Sequence, residues 1–476
     1  MRKIFAQNVL FLVFVNLIVK PLWIFGIDAK VQTTLGNEVY GSYIAFFNLG
    51  MILQIILDLG LQSYSTKTVA HAPNTFQKLF PNIIITKLAL TLIYFTTLFL
   101  VGLALGYPLA AIGMLISIGC IHAFNSFYLF FRSNIASKQL FKTDSILSVL
   151  DRLLLILLCG VLLYVPYYAQ YFSIQTFIVL QICTLGIASI VGYYLCNKHF
   201  HISWHHLGFQ KIKVILKKGI PFAVLVLVMS LYMRGDAILV EKLLGAKAAG
   251  QYAMYLRLLD VANNMSGVLI AGMLLSFFSK HLKDVATIEQ IVTLCTKVLI
   301  PFDMLAALLS FQYGNNIMLT VYRKQENYDA YILGLIIIAY IFYCCMYIYS
   351  TLLTANGNLK ALIKISAVAA VINMVGNFML LPQYQLLGAA FMHAITVAFV
   401  AIACIILASK TFRVVFIKLN DLLQFAFYAI SFYAATYFIN LLNLNYIVEI
   451  VLIGSFAFIN ILAFNYKAII RQIKKR

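Results

Sequence analysis

Charge is what this sequence has least of. Asp, Glu, Lys and Arg together make 11% of its 476 residues, and the acidic ones number 15 against 35 basic. Apolar residues make 63%. A water-soluble chain of this length could not cover so much apolar surface with so few polar groups, which excludes a soluble enzyme. The net charge of +20 is not gathered into a patch, so nucleic acid is not an expected partner; it is spread over short intervals between apolar runs. No interval has room for a soluble domain: the longest are residues 62–80, 197–213 and 312–328. The eight cysteines (120, 159, 183, 196, 295, 344, 345 and 404) fall within or at the ends of apolar runs, without metal-type spacing. His199, His201, His205 and His206 cluster in the central basic stretch 203–218 or just before it, and they also match no metal motif. No metal and no other cofactor is expected. No small-residue cleavage site follows Met1-Arg2-Lys3, so no cleavable leader is expected.

What the sequence has in abundance is apolar runs of about twenty residues, the length that crosses a bilayer as a helix. Fourteen are expected, over 6–26, 39–61, 81–105, 110–131, 146–165, 172–196, 214–240, 251–279, 289–311, 329–354, 361–381, 386–408, 421–440 and 444–466. The reading is an all-α polytopic membrane protein. Basic residues crowd alternate joins; the opposite joins hold only Lys30, Lys242, Lys247, Arg323 and Lys324. The positive-inside rule then places both termini in the cytoplasm. The stretch 203–218 reads as a basic amphipathic segment on the inner surface, with Trp204 as an interfacial anchor.

A repeat organises the chain. Leu35-Gly36 and Gly41-Ser42-Tyr43 recur 209 residues later as Leu244-Gly245 and Gly250-Gln251-Tyr252, and Gly26, Val31 and Leu49 recur as Gly235, Val240 and Leu258. Both copies join the first and second spans of a half. The expected organisation is therefore two pseudo-symmetric six-helix bundles, residues 1–196 and 214–408, around a central cavity. A cytoplasmic linker at 197–213 joins them, and 409–476 adds two helices and a basic tail.

Ionisable residues inside spans are costly and mark function by default. Lys20 follows Asn16 by one turn in span 1. Gln54, Asp58 and Gln62 form a polar stripe at i, i+4, i+8 in span 2. Arg234 and Asp236 lie in span 7, Arg257, Asp260 and Asn264 on one face of span 8, and Lys297 and Asp303 flank Pro301 in span 9. Lys20, Arg234, Arg257 and Lys297 are the expected anion-binding set, because guanidinium and ammonium groups match phosphate oxygens. Asp58, Asp236 and Asp260 are the expected carboxylates for ion coupling, with Asn16, Asn264 and Asn373 as polar lining. Other readings stay open: Arg257 and Asp260 can neutralise each other at i, i+3, Lys20 can snorkel, and Asp236 can be interfacial. Asp151 and Arg152 read as boundary residues at the cytoplasmic end of span 5. Tyr340, Tyr343 and Tyr347 line one side of span 10, as packing or as a wall for sugar.

At these residues the sequence resembles the Wzx-type polysaccharide flippases of the multidrug/oligosaccharidyl-lipid/polysaccharide exporter superfamily. The matching features are the two Leu-Gly loops, Lys218-Gly219-Ile220-Pro221 leading to Asp236 and Arg257-Leu258, and Asn356-Gly357-Asn358-Leu359-Lys360 followed by Asn373, Asn377, Leu381-Pro382 and Leu387-Gly388-Ala389-Ala390. One departure is that Gln385 follows Tyr384 where the family usually has Gly. The resemblance implies a transporter, not an enzyme. It would move polyprenyl-diphosphate-linked oligosaccharide between the leaflets of a bacterial cytoplasmic membrane by alternating access, with membrane lipids, a polysaccharide polymerase and chain-length proteins as partners. Asp236 and Arg257 match family positions; Lys20, Arg234 and Lys297 are inferred from charge alone. The rivals are a cation-coupled drug or metabolite antiporter, a peptidoglycan-precursor flippase, and a membrane polymerase or ligase. The last is disfavoured because the outer joins hold no catalytic constellation.

Overall fold

The computed structural model describes residues 18–19, 21–71, 73–138, 140–200, 209–323 and 328–474, and the structural statements below concern these. They form helices joined by short turns, with no strand among the described residues. Eleven helices are long and apolar enough to cross a membrane. The expected first span falls mostly outside the described residues.

A short π-helical stretch, Leu22–Asp28, runs into α1 (Ala29–Leu35). The chain continues through α2 (Asn37–Leu53), α3 (Leu61–His71), α4 (Pro73–Ala104), α5 (Leu109–Ser137), α6 (Phe141–Tyr164), the single turn α7 (Pro166–Ala169), α8 (Ile174–Phe200) and α9 (Phe209–Leu244). Next come α10 (Ala246–His281), α11 (Val285–Tyr322), α12 (Ala330–Ala355), α13 (Leu359–Phe412), α14 (Leu419–Asn440) and α15 (Tyr446–Lys474). By packing the chain forms two compact units, Met1–Ala253 and Met254–Arg476. The 197–213 linker is a division by sequence repeat, which is a different criterion.

In the first unit α5 packs on α8, and α2 packs on both α5 and α9. Phe80, Phe130 and Phe131 sit at the centre of one cluster, with ring centroids 5.6–6.2 Å apart. Both repeated loops turn through a glycine with positive φ, Gly36 at 87° and Gly245 at 91°. Only glycine adopts this without strain, which explains the Leu-Gly pair in each copy.

Span 2 departs from expectation. It is not one helix: α2 tightens into a 3₁₀ turn at Gln54–Leu57 and breaks at Leu59 (φ 40°) and Gly60 (φ 84°) before α3 begins. Gln54, Asp58 and Gln62 therefore share no helix face, because i, i+4 spacing aligns side chains only on unbroken helix. The stretch 62–80, expected as a loop, is largely helical in α3 and α4.

In the second unit α11, α12 and α13 pack in succession. A straight α13 of 54 residues would run ~80 Å, far beyond the ~30 Å hydrocarbon core. It reverses instead at Gln385, whose φ of 49° and ψ of −132° are non-helical. A Cβ on Gly388 would meet Leu380 O at 2.7 Å, and one on Gly376 would meet Met392. Asn373 Nδ2 donates to Thr396 Oγ1 at 3.3 Å. These pairs converge on residues 384–385, so α13 is an antiparallel hairpin of two spans, as the runs 361–381 and 386–408 anticipate.

Helices α14 and α15 dock on α11 through polar contacts. Pro301 has no N–H, which frees the carbonyl of Lys297 one turn earlier. Asn465 Nδ2 donates to that oxygen at 3.3 Å. Lys297 Nζ lies 2.7 Å from Asp421 Oδ1. Tyr313 hydroxyl reaches Glu449 Oε2 at 2.8 Å and Asn440 Oδ1 at 2.6 Å.

Candidate functional site

The first polar centre forms at the break in span 2. Asp58 accepts from the N–H groups of Gly60 (3.2 Å) and Gln62 (3.1 Å), satisfying donors that the start of α3 would leave open. Lys87, from the middle of α4, is 1% exposed. Its ammonium donates to Leu57 O at 3.0 Å and Ser126 Oγ at 2.8 Å, lies 3.5 Å from Asp58 Oδ1, and stands 5.5 Å from the Phe127 and Phe130 ring centroids. The break leaves Leu57 O without a helical partner, and Lys87 supplies one. Asp58 is thus paired and acts as a cap, not as a free carboxylate.

The second centre is a small polar cavity lined by His122, Asn125, Asp151, Arg152, Gln181 and Thr184, with Phe47 among the apolar members. Asp151 and Arg152, expected at the boundary of span 5, lie inside α6 and line this cavity. The helix begins at Phe141, so Asp151 lies ~15 Å along its axis. Arg152 Nε is 3.4 Å from Asp151 Oδ2, and its guanidinium stacks 5.2 Å from the Trp23 ring centroid. Tyr128 hydroxyl donates to Asp151 Oδ1 at 3.2 Å. Gln181 hydrogen-bonds Tyr43 at 3.0 Å, and His122 Nε2 donates to Phe47 O at 3.0 Å. Such a cavity offers an arginine and several neutral donors and acceptors in an apolar setting.

The other expected residues are dispersed. Asp236 is buried, Arg234 is half-buried, and neither is without a partner. Arg257 and Asp260 lie 3.7 Å apart, so the neutralising geometry is realised. Lys297 faces Asp421 on α14, which gives it a docking role in this structure. Asn373 is buried, bonded to Thr396 and receiving Asn377 Nδ2 on its carbonyl oxygen at 2.9 Å. Lys20, Asn16 and the side chain of Asn264 lie outside the described residues. Among the described residues no group of three His, Cys, Asp or Glu side chains is placed to hold a metal.

Lys87, Arg152 and Glu449 are the residues that reading by stripes passed over. Each was visible as a charge inside an apolar run. Lys87 is a lone cation in span 3, and only the fold places it beside Asp58.

Helices of this length, with paired charges inside them, define a multi-pass membrane protein. A solved structure titled "Lipid II flippase MurJ, inward closed conformation" matches with TM-score 0.72 and 13% identity, over 98% of this chain and 99% of that one. An inward-facing multidrug resistance MATE family transporter matches at TM-score 0.63 and 13% identity, over 83% and 94%. A superfamily transporter from Pyrococcus furiosus matches at 0.61 and 12%, over 86% and 96%. No curated protein matches by sequence. The profile of the family described as "Polysaccharide biosynthesis protein" matches residues 5–281, and the chain belongs to that family. Family and fold point to a transporter rather than a catalyst.

Proposed function

We propose that the protein flips a polyprenyl-diphosphate-linked oligosaccharide, the repeat unit of a surface polysaccharide, from the cytoplasmic to the periplasmic leaflet. The observation that carries the reading is membership of a polysaccharide biosynthesis family on a transporter fold. A glycan and a diphosphate cannot enter hydrocarbon alone, because each polar group would lose its water without replacement. Arg152, Arg234 and Arg257, with Lys20, are the cations offered to the diphosphate and to acidic sugars; Asn125, Gln181 and Thr184 offer hydrogen bonds to hydroxyls. Asp236 and Asp260, with Asn16, Asn264 and Asn373, remain members of the polar pathway. The protein would lie in the bacterial cytoplasmic membrane with both termini inside, as the basic joins require, and a polysaccharide polymerase and chain-length proteins would receive its product.

A second reading, a peptidoglycan-precursor flippase, is favoured by the MurJ likeness. That match extends over 98% of this chain, whereas the multidrug transporters cover 83–86%. For the same reason lipid-linked cargo is preferred to a drug.

The test is deletion of the gene followed by mass spectrometry of extracted lipids. Accumulated polyprenyl-diphosphate oligosaccharide with loss of surface glycan supports the first reading, and the mass identifies the cargo. Accumulated peptidoglycan precursor supports the second. Normal glycan with new sensitivity to cationic drugs overturns both.

A further inference from the structure

Asp303 is a carboxylate that neither the cation set nor the polar cavity absorbs. It lies two residues past Pro301 in α11, is 5% exposed, and its Oδ2 has no hydrogen-bond partner. The thiol of Cys344, on α12, lies against it, and Tyr340 and Cys345 of the same helix are close by. Tyr340 is anchored elsewhere, donating to Ala262 O on α10 at 2.9 Å.

Among the described residues no cation pairs with Asp303. Lys297, on its own helix, is held by Asp421 of α14. On α10, Arg257 pairs with Asp260, and the stretch 264–273 contains no charged residue. On α15, Glu449 is engaged by Tyr313. On α13, His393 is bonded to Tyr343 of α12 at 3.2 Å. An ionised carboxylate sealed in such surroundings is costly without a counter-charge, so the group must be neutralised there. A hard metal cation calls for several oxygen ligands, which a thiol and one phenol do not supply. A proton needs none of them.

We propose that Asp303 is a proton-binding site inside the second unit, loaded when the surroundings seal and released when water reaches it. Such a site ties one proton to a change in exposure, because the two states differ in their affinity for it. The proposal rests on the transporter reading above and adds its coupling ion.

The experiment uses the purified full-length protein in lipid, followed by infrared spectroscopy as pH is raised from acid to alkaline. The expected result is a protonated-carboxyl C=O stretching band that titrates in wild type and is missing in Asp303→Asn. In cells, Asp303→Asn at ordinary membrane level should lose surface glycan. An identical titrating band in Asp303→Asn overturns the site, whatever the cargo proves to be. A band lost in Asp303→Asn with export intact overturns the coupling. Failure of the deletion strain to accumulate lipid-linked glycan would count against the cargo assignment alone, since the infrared readout does not depend on it.

Discussion

A Cβ placed on Gly41 would lie 1.8 Å from the carbonyl oxygen of Ala246. The contact is reciprocated: a Cβ on Gly250 would lie 2.0 Å from Asn37 O. Asn37 and Ala246 are equivalent at the 209-residue offset, and so are Gly41 and Gly250. The duplicated loops thus meet through a local pseudo-two-fold, each glycine admitting the other loop's backbone. Gln32 Nε2 reinforces the meeting by donating to Gly250 O at 2.7 Å. Alanine at either glycine must push the two backbones apart. Gly41→Ala and Gly250→Ala should each destabilise by about 1–3 kcal/mol, as overpacking does. The double variant should cost less than the sum, because one displacement relieves both clashes. Thermal unfolding in detergent reads both effects.

Gln385 makes the opposite prediction. It holds φ 49° with ψ −132°, a region that favours glycine, and its side chain is exposed. Gln385→Gly removes strain and forfeits no buried contact. Stability should rise by about 1 kcal/mol, the low end of the cost of such backbone. An unchanged or lowered unfolding temperature would show that the turn is not strained.

Lys87→Met leaves the Asp58 charge unpaired and Leu57 O with only the longer bond from Ser126 Oγ, at 3.4 Å. A loss of about 3 kcal/mol is expected, as when one member of a buried pair is removed. Combining it with Asp58→Asn should recover part of that loss, since no charge then remains unpaired. Equal instability of single and double variants would count against the pairing.

At the docking of α14 the pair is Lys297 and Asp421, with 27% and 8% side-chain exposure. Asp421→Asn should weaken α14 by about 1–2 kcal/mol, less than a fully buried pair would lose. Faster proteolysis near residues 413–418 would report it. The exchange Lys297→Asp with Asp421→Lys should restore resistance.

Tyr313→Phe removes the hydroxyl that Glu449 and Asn440 share, leaving Glu449 buried without that donor. The expected cost is about 1–3 kcal/mol. Glu449→Gln in the same background should reduce it, because the neutral amide tolerates burial better.

The sequence alone determined the class of protein and much of its plan. Its scarcity of charge and its twenty-residue apolar runs permit only a membrane-spanning helical chain, because unpaired backbone cannot sit in hydrocarbon. The repeated Leu-Gly loops were legible because a positive φ restricts residue choice. The reversal at residue 385 was legible as two adjacent runs, and the unusual backbone there was signalled only by Gln standing where the resembled family usually has Gly. What only the tertiary structure decided is which charges meet. Asp58 and Lys87 are 29 residues apart and come together because span 2 breaks. Lys297 turns to Asp421 across 124 residues of chain. Asp151 and Arg152 share a cavity with His122 and Asn125 of α5 and with Gln181 and Thr184 of α8, a meeting that their own stretch of sequence does not reveal. Periodicity reports which face a side chain occupies on an unbroken helix. Pairing across helices depends on breaks, bends and neighbours, and these are settled only when the whole bundle packs.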